Sequence, residues 1–226
     1  MNNLLKIFIG ICTIHLGLEL VSSEWTLLSK PLLMPTLGLY LLSENSWSSK
    51  YIKSLLLALL FSTIGDGLLM FTAHDQLYFI AGLASFLVAH LFYVFFFLKN
   101  TKQKKLNPKR ILVLGIYLFL FIYLLHDGLT GLLLYAVPVY ACILAWMAYT
   151  AMQYGFEQHK KIKLLFLGGA ILFMLSDSLI GLFAFTEIQT PLWTRRISIM
   201  LSYVLAQYLL ISGANLSIQG FPSKKN

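Results

Sequence analysis

Residues 77–98 read LYFIAGLASFLVAHLFYVFFFL, an unbroken run with no Asp, Glu, Lys or Arg. Wound as a helix at about 1.5 Å per residue, such a run crosses the roughly 30 Å hydrocarbon core of a bilayer. Working outward, apolar windows recur over residues 4–20, 31–42, 52–72, 111–125, 131–152, 162–186 and 197–214, separated by short polar breaks. The chain has 226 residues, 58% hydrophobic and 12% charged, with mean hydropathy +0.78. A soluble domain carries about twice that share of charge, so these runs cannot all be a water-shielded core. The solvent is lipid. The fold class is therefore all-α: a polytopic membrane protein of eight transmembrane helices, forming one integral membrane domain over residues 1–226.

Two windows need comment. The first, with Lys6 ahead of it and Ser22-Ser23 behind it, has the outline of a signal peptide, but no small-x-small cleavage site stands out and it is read as a helix. The second is short for a span and begins with Pro31 and Pro35. Proline costs little in a first turn, whose amides lack intrahelical partners, so Lys30-Pro31 is expected to open a helix near the interface.

The formal charge is +8, from 17 Lys+Arg against 9 Asp+Glu. Placement assigns it to topology and not to nucleic acid. With eight spans, Lys6, Lys50, Lys53, Lys99, Lys102, Lys104, Lys105, Lys109, Arg110, Lys160, Lys161, Lys163, Lys224 and Lys225 fall on one side, and only Lys30, Arg195 and Arg196 on the other. The positive-inside rule then puts both termini in the cytoplasm, and the plasma membrane is the expected site if the source is bacterial. Cys12 and Cys142 lie in apolar stretches and suggest no disulfide framework.

An internal repeat follows from two pairs of segments. Residues 62–71, STIGDGLLMF, and 174–183, MLSDSLIGLF, each put an Asp late in a helix running the same way. The next helices carry SFLVAH at 85–90 and SYVLAQ at 202–207. Two parallel halves are expected, residues 1–100 and 108–218, joined by a basic linker over 99–110 that includes TKQKKLNPKR. A parallel repeat sets Asp66 and Asp177 at similar depth, roughly 9 Å and 13 Å below the outer helix ends.

An ionised Asp within a span costs about 2.5–3.5 kcal/mol on insertion scales and usually faces a protein interior. One reading has Asp66 and Asp177 capping breaks or bonding across helix interfaces beside Gly65, Gly67, Ser176 and Ser178. The other has them share a cavity, where two carboxyls resist ionising together and can divide the work of proton donor and carboxylate, as in glycosidases. His90 and Gln207 occupy equivalent repeat positions and, with Tyr93 and Tyr203, are expected to line the polar floor of that cavity; a satisfied interhelical bond is the plainer role for His90. Lys30, Arg195 and Arg196 either snorkel to the interface or clamp a phosphate at the cavity mouth. His15 and Glu19, four apart on one helix face, read as an ordinary solvated pair. The five His are scattered without paired spacing, so no metal or cofactor is expected, and no GxSxG elbow or phosphate loop is present.

Lys30-Pro31, Gly65-Asp66, Phe86-x-x-Ala89-His90-x-x-Tyr93, Ser176-Asp177 and Tyr203-x-x-Ala206-Gln207 together resemble the YhhN-like lysoplasmalogenases, over nearly the whole chain. The resemblance implies an eight-helix enzyme that hydrolyses the vinyl ether bond of a lysophospholipid drawn from among membrane lipids, giving a fatty aldehyde and glycerophosphoethanolamine or glycerophosphocholine. It also implies cavity positions for Lys30, His90, Tyr93, Tyr203 and Gln207, with Asp66 and Asp177 essential but their roles unassigned. Two readings compete with hydrolysis. A proton-coupled lipid or small-molecule transporter also uses midplane carboxylates, and a membrane scaffold would use the polar layer for folding.

Overall fold

The computed structural model describes residues 2–21, 24–47, 50–102 and 105–220, residue 50 by its backbone alone. Ser22, Ser23, Lys104, Lys224 and Lys225, on which some topology and processing expectations fell, lie outside the described residues. The described chain is all-helical: α1 (Asn3–Leu20), α2 (Thr26–Glu44), α3 (Lys50–Leu69), α4 (Gln76–Asn100), α5 (Pro108–Leu125), α6 (Leu133–Phe156), α7 (Lys160–Phe185) and α8 (Leu192–Ile218), with a 3₁₀ turn at His126–Gly128 after α5. Seven of these, all but α2, are long and apolar enough to cross a membrane. The molecule is an integral, multi-pass membrane protein.

The helix starts follow local chemistry. Asn2, Asp75 and Asn107 accept backbone N–H groups at the first turns of α1, α4 and α5, and Pro108 occupies the first turn of α5. α2 differs from expectation. It begins at Thr26, so Lys30, Pro31 and Pro35 stand inside the helix and not at its opening. Each proline removes one i→i−4 bond, and α2 runs through both because it is packed against α1, α3 and α8.

The tightest pairs are α3 with α4 and α7 with α8. Small residues make that approach possible, since a Cβ on Gly65 would come within 2.6 Å of the Phe86 ring and one on Gly169 within 2.8 Å of Leu210. α4 packs on α6, and α8 closes onto α1 and α2. α5 packs mainly on the edge formed by α6 and α7, and Leu112, Val113, Phe119, Tyr123 and Leu124 are exposed along it, the pattern of a lipid-facing helix.

Two ends can be told apart. At one, Asn2 bonds Ser43 and Glu44, Asn45 bonds Asn215, and the linker's Lys102 amide bonds Glu157. At the other, the α1–α2, α3–α4 and α7–α8 connections surround a cavity of about 800 Å³. That second end carries the candidate site.

Candidate functional site

Asp66 lies just before the end of α3, and Asp177 lies well inside α7, which continues to Phe185. A buried carboxylate needs partners to offset lost hydration. Asp66 has a cation and a hydroxyl: Lys30 Nζ of α2 stands 3.7 Å from its Oδ1, and the Tyr203 hydroxyl of α8 donates to its Oδ2 at 2.8 Å. Asp177 has no cation beside it. The Tyr140 hydroxyl of α6 donates to its Oδ2 at 2.5 Å, and His90 Nε2 stands 3.9 Å away, beyond hydrogen-bond reach.

Between them runs a connected interior. The Tyr203 ring packs edge-on against Phe86 and Phe173, and Phe173 and Tyr140 pack against the His90 ring. His90 is fully buried, and neither ring nitrogen has a hydrogen-bond partner. On the Asp66 side, the Gln207 amide donates to Ser62 at 3.0 Å and to the Tyr203 hydroxyl at 3.5 Å, while Tyr93 donates to Gln207 Oε1 at 2.5 Å. Tyr203 is thus held at its hydroxyl from below while it donates to Asp66 above.

The 800 Å³ cavity is lined by Lys30, Arg195 and Arg196 among the expected residues, and also by Glu19 and Glu24. Adjacent to it, sharing the lining residues Leu69, Phe79, Ile180 and Phe185, is a pocket of about 30 Å³, almost wholly apolar, on which Asp177 and Tyr140 border. His90, Tyr93, Tyr203 and Gln207 line neither space. The expectation of a polar cavity floor is corrected: these four are packed behind the carboxyls, because their polar atoms face helix interfaces. Lys30 joins the two layers, lining the cavity with its stem and reaching Asp66 with its amine.

The mouth departs from expectation in a second way. His15 is fully buried and Glu19 is only 7% exposed, so they are not a solvated pair. His15 Nδ1 is 2.8 Å from Ser29 Oγ, His15 Nε2 is 3.6 Å from Glu19 Oε1, and Arg196 Nη1 is 3.7 Å from Glu19 Oε2. Residues of α2 and α8 close over a face that α1 alone would leave open. Arg195 is fixed differently, donating to the carbonyls of Thr190 and Ile188 and stacking 5.3 Å from the Phe183 ring. Among the described residues no group of three His, Cys, Asp or Glu converges as a metal site.

Sequence reasoning missed Tyr140, Glu19 as a cavity wall, Glu24, Ser62 and the Tyr117–Ser178 bond at 2.6 Å. Tyr140 left one usable trace: it precedes Asp177 by nearly the interval at which Lys30 precedes Asp66, each from the preceding helix.

Fold and site together define a multi-pass helical membrane protein with two partnered buried carboxyls near a charged cavity at one end; Asp66 lines neither space, and Asp177 borders only the small pocket. The chain belongs to the YhhN family, which matches residues 25–214. Proteins named lysoplasmalogenase TMEM86A, from Bos taurus and Homo sapiens, are each 32% identical to it, over 160 and 159 residues. The matched part is 69% of this chain and 62% of each relative's own length. No solved protein structure gives a significant match.

Proposed function

We propose that this protein is a lysoplasmalogenase, hydrolysing the vinyl ether of a lysophospholipid to a fatty aldehyde and glycerophosphoethanolamine or glycerophosphocholine. The observation that carries the proposal is the unequal partnering of the two aspartates: Asp66 is paired with Lys30, and Asp177 meets only neutral groups at the edge of an apolar pocket. The curated relatives carry the activity in their name, and the family membership supports extending it to this chain.

The layout suits an amphiphile whose reacting bond lies between head and tail. A phosphate head sits at the mouth lined by Lys30, Arg195 and Arg196, and the vinyl ether reaches Asp177 at the edge of the small apolar pocket. Asp177, as the acid, gives its proton to the alkene carbon remote from oxygen. The ether carbon becomes an oxocarbenium ion, which the Asp66 carboxylate stabilises. Water adds to that carbon and loses a proton to Asp66, forming a hemiacetal. The hemiacetal then gives its hydroxyl proton to Asp177, while Asp66 passes its proton to the departing glycerol oxygen. Aldehyde and alcohol are released, and both carboxyls return to their starting states.

In this reading α2 is the eighth span, both termini are cytoplasmic, and residues 1–100 and 108–218 are two parallel halves about the 99–110 linker. Lys30–Asp66 and Tyr140–Asp177 are then equivalent contacts, each between the second and third helices of a half.

The test is aldehyde release from a 1-alkenyl lysophospholipid by purified protein in detergent. Wild type is expected to turn over, and Asp177→Asn and Asp66→Asn, both folded, to fall by about 10³-fold or more. Near-wild-type turnover in either variant would remove the carboxylate pair. Absence of aldehyde, with uptake of lipid into sealed vesicles instead, would replace the hydrolase by the transporter.

A further inference from the structure

We propose that the Glu19–Arg196 pair at the cavity mouth is a head-group reader selective for zwitterionic phospholipid heads, Arg196 taking the phosphate and Glu19 the ammonium. The inference rests on the lysophospholipid reading above and adds what that reading leaves open, the residues that sense the cationic end of the head.

Glu19 is more than nine-tenths buried, lines the cavity, and its Oε2 accepts no hydrogen bond. Its nearest partner, Arg196 Nη1, stands 3.7 Å away, an ion pair with no hydrogen bond in it. A buried carboxylate oxygen left in that condition is an acceptor awaiting a donor. The other cations of the mouth each hold an internal partner as well. Lys30 faces Asp66, and Arg195 also donates to the carbonyls of Thr190 and Ile188. Arg196, with its side chain 38% exposed, is the cation with free donors toward the cavity. Behind the acid, His15 Nε2 stands 3.6 Å from Glu19 Oε1, and Ser29 of α2 holds His15. Glu24 adds a second, exposed carboxylate on the same wall.

The charge pattern decides the ligand. Three cations alone would favour any phosphate, whereas a carboxylate set against Arg196 mirrors a phosphate joined to an ammonium. Docking such a head exchanges one loose internal ion pair for two intermolecular ones, and charge stays balanced. An ethanolamine ammonium also brings N–H donors for Glu19 Oε2. A choline head brings charge without donors, and a phosphoglycerol head gives Glu19 no cation and adds a net negative charge beside it.

The experiment measures binding of non-hydrolysable 1-O-alkyl lysophospholipids of one chain length, with ethanolamine, choline or phosphoglycerol heads, to the full-length protein in neutral detergent. Ethanolamine is expected to bind tightest and phosphoglycerol about tenfold more weakly, with Glu19→Gln shrinking that gap to about twofold and Arg196→Gln weakening all three. Tail-free glycerophosphoethanolamine is expected to compete better than glycerophosphoglycerol, which separates head recognition from micelle partition. Equal affinities for the three heads in the wild type, or a gap that survives in folded Glu19→Gln, overturn the proposal. If Glu19→Gln does not fold, the wild-type ranking and the competition by the two tail-free heads decide. Alkyl ethers bind without being cleaved, so a failure here is distinguishable from a failure of aldehyde release on alkenyl substrates.

Discussion

Asp66 on α3 and Asp177 on α7 each accept a tyrosine hydroxyl, and each is approached by a residue from the preceding helix; there the likeness ends. For Asp66 that residue is Lys30, and for Asp177 it is Tyr140 itself, with the unpartnered His90 ring behind. One substitution of partner type, cation against phenol, makes two chemically different acids from one side chain. A carboxylate beside an ammonium is stable as a charge in a dry interior, and a carboxyl among neutral groups is stable with its proton on.

The comparison can be broken most forcefully at Lys30. Lys30→Met strands the Asp66 charge, and it is expected to lower stability by about 3 kcal/mol, the low end for breaking a buried pair because Lys30 keeps some access to the cavity. Thermal unfolding in detergent measures this, and Lys30→Met/Asp66→Asn should recover most of the loss without recovering turnover. If the single variant is as stable as wild type, the pair does not distinguish the two carboxyls. A sharper contrast comes from the tyrosines. Tyr140→Phe removes the one hydroxyl that orients Asp177 and is expected to reduce kcat by about 30-fold, the kinetic equivalent of a strong hydrogen bond. Tyr203→Phe should cost less, about fivefold, since Lys30 still holds Asp66. Equal losses would make the two sites equivalent after all. The smallest effect is expected at the mouth, where Arg195→Gln should raise KM about threefold and leave kcat within about twofold, as for a contact made equally in ground and transition states. Initial-rate measurements across substrate concentration check both constants.

Much of the fold was legible because lipid demands it. Every apolar window became a helix, and the structure mainly lengthened them, adding Thr26–Lys30 ahead of the second and Leu192–Arg196 ahead of the last. α2 was misplaced because Pro31 looks like a first-turn residue, and only packing from three other helices lets the chain stay helical on both sides of it. The carboxyls were visible since a charge in an apolar run is rare. Their partners were less so. A tyrosine in a membrane helix carries no signal by itself, and Tyr140 becomes conspicuous only when its interval to Asp177 is set against that of Lys30 to Asp66. His15 and Glu19 were judged from α1 alone, and it is Ser29 and Arg196, from elsewhere in the chain, that bury them. Polar residues next to a cavity and polar residues behind it look the same in sequence, which is why His90, Tyr93, Tyr203 and Gln207 were assigned to the wrong side of the wall.

Under the proposed reaction, the Lys30–Asp66 contact also bears on the fate of the aldehyde. A primary amine in the cavity wall would condense with each aldehyde released beside it and accumulate as an imine adduct. Lys30 lines that wall, yet its amine is engaged with a carboxylate, and an ammonium has no lone pair with which to attack a carbonyl. In the proposed hydrolysis, the ion pair with Asp66 thereby keeps the Lys30 amine from the aldehyde product.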